Sequence, residues 1–137
     1  MQQDFVNSMS NFGKTAAEAV KTLGEINSKI AEEVIERQLA AANLFVEGSV
    51  SQAKLAQETK DVKEYWSKQA QLTDEYAGKA MDLAKQNVEL AQKAGEQYKS
   101  WMEKGFAQAN EAAGEVTKQV QASTKKAEAA AKKAASA

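Results

Sequence analysis

The sequence predicts an all-α protein: long amphipathic helices forming an antiparallel helical hairpin or coiled coil, with a weaker N-terminal helix and a frayed Lys/Ala-rich C-terminal tail. Three observations predict it. Large apolar residues recur at steps of three and four along most of the chain, the spacing of one helical face. The 137 residues contain no proline, and the seven glycines are scattered singly. A helix-capping signal at Asp61 separates the two longest periodic stretches.

Residues 4 to 21 read as the weaker helix. Phe5, Met9, Phe12, Ala16 and Val20 fall on one stripe, while Gly13 and Gly24 each cost about 1 kcal/mol relative to alanine. Phe5, Met9 and Phe12 are either the end of a core or a face that orders when covered.

The stretch from Leu23 to Leu55 organises the rest. Leu23, Ile26, Ile30, Val34, Ala41, Leu44, Phe45 and Leu55 share a stripe, and Glu25, Lys29, Glu32, Glu33, Glu36, Arg37 and Glu47 are assigned to the opposite face. There, Lys29 and Arg37 are expected to pair with the glutamates three and four residues away. A continuous helix is expected, with Gly48-Ser49 as the place where it could bend.

The break is placed at Glu58 to Asp61. Asp61 and Glu64 stand in capping-box spacing before Val62, Tyr65 and Trp66, so the Asp61 carboxylate can accept from the first free N–H groups of the next helix. That helix should run from Val62 to about Val120, with Gly105 or Gly114 as candidate ends. Its apolar positions include Trp66, Leu72, Tyr76, Leu83, Val88, Leu90, Tyr98, Trp101, Met102 and Phe106. Folding the two long helices back at residues 58 to 61 sets Leu55 opposite Trp66, Phe45 opposite Tyr76, Ala41 opposite Ala80, Val34 opposite Asn87, Ile30 opposite Ala91, Ile26 opposite Ala94 and Leu23 opposite Tyr98. Tyr65-Trp66 and Tyr98 with Trp101 suit either that core or an anchor at an apolar boundary. Asn43 and Asn87, in or near the stripes, suit a register-setting role.

Composition narrows the function classes. Residues 1–115 hold 13 Lys/Arg and 18 Asp/Glu, a net of −5, whereas residues 116–137 hold 5 Lys and 1 Glu, a net of +4. The chain therefore divides into an acidic amphipathic domain over 1–115 and a basic tail over 116–137, whose contact with nucleic acid would be weak and salt-dependent at most. With neither Cys nor His, disulfides, Cys or His metal sites and imidazole catalysis are excluded, and no other catalytic constellation or cofactor motif is present. The N-terminal residues lack the basic-then-apolar order of a signal peptide, and no apolar run reaches the roughly 18 residues needed to cross a bilayer. The absence of Cys fits a cytoplasmic setting.

At this point the residues resemble a family. The Glu36–Asn43 section with Gln38-Leu39 and Ala42-Asn43, the elbow at Thr59–Glu64, and the stretch ending Leu90-Ala91-Gln92-Lys93-Ala94-Gly95 are similar to phasins, the proteins that coat bacterial polyhydroxyalkanoate granules. The likeness covers residues 5 to 105. It implies a non-enzymatic, self-associating amphiphile at the granule surface in the cytoplasm, limiting granule size and fusion, with granule polymer, further copies of itself and granule synthase or depolymerase as its partners. The tail is similar in kind to the longer DNA-contacting tails of some phasins, yet it is short and lacks their proline-bearing repeats. A soluble coiled-coil scaffold binding only protein is the alternative reading. A desiccation helix, disordered until it meets a membrane, is the third.

Overall fold

A computed structural model describes residues 2 to 136. Two helices account for nearly all of them: α1 (Gln2–Glu58) and α2 (Val62–Ala135), joined at Thr59–Asp61. The break falls where the capping signal placed it. Thr59 N–H donates to the Leu55 carbonyl at 3.2 Å, and Tyr65 N–H to the Asp61 carbonyl at 2.9 Å. The Asp61 Oδ1 accepts from Glu64 N–H at 3.0 Å, satisfying one of the orphan donors of the first turn. The Glu64 carboxylate turns instead to Lys68, one helical turn further on, at 2.6 Å.

The packing divides into two units. A hairpin unit comprises Ile26–Glu96; a terminal unit combines the residues up to Glu25 with those from Gln97 onward. In the hairpin unit, half-buried positions on α1 step through Ile26, Ile30, Glu33, Arg37, Leu44, Gly48, Ser51 and Leu55, and those on α2 through Tyr65, Gln69, Leu72, Tyr76, Leu83 and Leu90. Steps of three, four and seven are compatible with coiled-coil packing. In the terminal unit, the two segments again run antiparallel: Trp101 Nε1 donates to the Ala19 carbonyl at 2.8 Å, and Gln119 Nε2 to Ser8 Oγ at 2.8 Å.

Several expectations are corrected. The N-terminal segment is not a separate helix, since α1 runs unbroken through Gly13 and Gly24. Both glycines keep ordinary helical backbone, and the bonds from Trp101 and Gln119 hold this segment against α2. Nor does α2 end at Gly105, Gly114 or Val120. The segment expected to be a frayed tail continues as helix to Ala135, because alanine and lysine favour helix and Lys132 and Lys133 in the last turn suit its negative end.

The expected register holds at Gln52 and Gln69, whose side-chain amides bond to each other at 2.8 and 3.3 Å, and the pairing departs from it locally at Tyr76. Tyr76 meets Gly48, not Phe45: a Cβ added at Gly48 would lie 3.4 Å from the Tyr76 ring, and the Tyr76 hydroxyl reaches Ser51 Oγ at 3.0 Å. The Tyr76 ring packs against α1 at Gly48 with room for no more than a methyl group, and Phe45 is 77% exposed. Trp66 likewise stays 64% exposed, edge-on to Tyr65, and Tyr65 takes the half-buried place expected for it.

Among the described residues, none is fully buried. Two helices side by side leave solvent on at least one side of every residue. A compact folded chain of this size exposes about 7,000 Å²; this one exposes 10959 Å².

Candidate interaction surfaces

The hairpin unit has two unlike faces. On one, the gap between the helices opens as a groove of about 760 Å³, lined by Ala41, Leu44, Phe45 and Gly48 from α1 and by Leu72, Tyr76, Ala77, Ala80, Leu83 and Ala84 from α2. A second groove of about 400 Å³, sharing Ala41 and Asn87 with the first, is lined by Ile30, Val34, Arg37 and Gln38 together with Leu90, Ala91 and Ala94. Together they form an apolar trough. Its depth has a local cause: Gly48 and the alanines of both helices are too small to fill the space between them. Phe45 on α1 and Met81 and Val88 on α2 are exposed apolar side chains of the same unit.

The other face is charged. Lys93 Nζ contacts Glu33 Oε1 across the helices at 2.9 Å, and Arg37, at the seam between this face and the second groove, donates to Gln86 Oε1. The expected pairing of Glu33 and Arg37 with neighbours on their own helix gives way to these cross-helix bonds, for both side chains sit at the seam. Lys79 pairs with Glu75 at 2.9 Å and lies 4.8 Å above the Tyr76 ring. The hydrogen bond to Glu75 is the main reason its ammonium group is held above the ordinary lysine pKa.

The residues singled out in the sequence separate into two sets. Leu23, Ile26, Ile30, Leu44, Leu55, Tyr76, Leu83, Leu90, Tyr98 and Trp101 are half-buried along the seams. Phe5, Met9, Phe12, Val34, Phe45 and Trp66 are exposed. In the terminal unit, Phe5 lines a groove of about 290 Å³ with Val116 and Val120.

One surface escaped the sequence reading. Ile35, Leu39, Val46 and Val50 are all exposed, on the side of α1 turned away from α2. Their steps of four, seven and four were the available signal. Glu36 and Glu47 between them, with Glu32 just before, disguised it as the charged side of the helix.

Among the described residues, no acidic cluster could hold a metal ion, and no helix is long and apolar enough to cross a membrane. Fold and surfaces define an amphipathic all-α protein that offers apolar troughs and stripes among its described residues. The family described as phasin protein matches residues 7–106, and the chain belongs to that family, whose members are structural proteins associated with polyhydroxyalkanoate granules. It is also 26% identical over 103 residues to an uncharacterized protein from Allochromatium vinosum, covering 75% of this chain and 86% of that relative. No solved structure matches it.

Proposed function

We propose that this protein is a non-enzymatic amphiphilic coat of polyhydroxyalkanoate granules, polyhydroxybutyrate among them, which binds the polymer through its apolar helix faces and limits granule size and coalescence. The carrying observation is the unburied surface: 10959 Å² exposed, no described residue fully buried, and an apolar trough along one face of the hairpin unit. A polyester surface offers apolar contact without shape, so a broad trough suits it better than a closed pocket. Moving a large side chain from water into such contact contributes roughly 1.5 to 3 kcal/mol when complete. The half-exposed residues here lie at the lower end of that range. On this reading the protein works in the cytoplasm, at the granule surface. Family membership over residues 7–106 supports the same assignment.

Depletion from solution tests it. Mixed at micromolar concentration with polyhydroxybutyrate particles, the protein should leave the supernatant, while hydrophilic particles of equal area should leave it in place. Protein that stays in solution with the polyester would remove this reading and favour a scaffold that binds only protein.

A further inference from the structure

The back of α1 in the hairpin unit points to a partner, and its spacing specifies which one. Ile35, Leu39, Val46 and Val50 are 56%, 59%, 57% and 48% exposed, with Ala42 between them. The set lies roughly half a helical turn around α1 from the seam with α2. Its sequence of steps reads the same in both directions. Laid antiparallel on a second α1, Ile35 meets Val50, Leu39 meets Val46, and Ala42 and Asn43 fall beside the two-fold axis. Charge follows the same symmetry: Glu32 of each copy comes level with Lys54 of the other, on the same side of the stripe. We infer that this stripe is an isologous interface between two copies of the chain, paired antiparallel through α1.

The pairing has a geometric consequence for the face that carries the trough. Antiparallel copies are related by a two-fold axis perpendicular to the layer of helices, and rotation about such an axis leaves up as up. The four helices of two hairpin units then lie in the order α2, α1, partner α1, partner α2. Both troughs open on one side, and both charged faces with their Glu33–Lys93 pairs lie on the other. A parallel pair, whose axis runs along the helices, would turn the two troughs to opposite sides. The antiparallel dimer therefore doubles one apolar surface. Its use against polymer rests on the function proposed above, while the dimer itself does not.

Sedimentation of the full chain tests the interface. The wild-type protein should sediment at twice the chain mass or a multiple of it. Leu39→Glu sets a carboxylate against the partner's Val46 and should halve that mass, with helix content unchanged because the residue is exposed in the single chain. Adding Val46→Lys sets each new carboxylate against the partner's new ammonium group, so the double variant should recover the wild-type mass. A monomeric wild type, a Leu39→Glu variant of unchanged mass, or a double variant that stays dissociated would overturn the proposal. The last result would also mark a parallel pairing, in which like charges meet. Particle depletion is a separate readout, so loss of polymer binding with an intact dimer would count against the coat function alone.

Discussion

At the scale of single residues, Gly48 is the one described glycine where the other helix crowds the space of a side chain. A glycine within a helix costs about 1 kcal/mol relative to alanine, so its place opposite Tyr76 needs a reason. A side chain larger than a methyl group would there run into the Tyr76 ring, whose hydroxyl is bonded to Ser51. At 3.4 Å, one methyl group is in ordinary contact with the ring. Gly48→Ala should therefore raise the thermal midpoint, gaining up to about 1 kcal/mol of helix propensity. Gly48→Leu should lower it, by expelling Tyr76 and breaking its bond to Ser51. Equal midpoints for the two variants in a melt followed by circular dichroism would show that the Tyr76 ring does not limit side-chain size at Gly48. Sequence periodicity placed Tyr76 on the correct face but opposite Phe45, since spacing along a helix carries no information about which neighbour leaves room for a ring.

At the scale of elements, the helix boundary was legible and the helix lengths were not. The Asp61 signal is local, a carboxylate accepting from an N–H three residues on, and local chemistry can be read from local sequence. Asp61→Ala should cost about 1 kcal/mol, within a usual range of about 0.5 to 2 kcal/mol; urea titration should show a lower midpoint with an unchanged slope. Whether the first segment joins α1 depends on the other helix. Gly13 and Gly24 weaken the first segment, yet Trp101 and Gln119, distant in sequence, hold it helical. Pairing also redirected the charged side chains. Glu33 and Arg37 had candidate partners within their own helix, but they face the seam and bond across it to Lys93 and Gln86.

At the scale of the whole molecule, the decisive quantity is the surface left uncovered. With none of the described residues fully buried and 10959 Å² exposed, stability comes from many half-buried contacts, and binding should be as distributed as the folding. Phe45→Ser alone should weaken adsorption to polyester particles by roughly tenfold, one large side chain's share. Phe45→Ser, Met81→Ser and Val88→Ser together should weaken it by roughly a thousandfold. All three residues are exposed, so helix content should hold in both variants. Complete loss of adsorption from the single change would point to a discrete pocket and count against a spread apolar surface.

The sequence by itself determined the fold class, the position of the break, and an apolar content too rich in alanine to bury much area. Each follows from short-range chemistry: three- and four-residue periodicity, a cap, side-chain size. Only the tertiary structure divided the apolar residues by role. It drew Leu44, Leu83 and Leu90 into the seam, left Phe45, Met81 and Val88 exposed, and turned Ile35, Leu39, Val46 and Val50 away from α2. That division depends on which side of each helix the other one occupies, a choice made by the fit of Tyr76 against Gly48 and by the reach of Glu33 and Arg37. Such fits join residues far apart in the chain, and no periodicity within either helix encodes them.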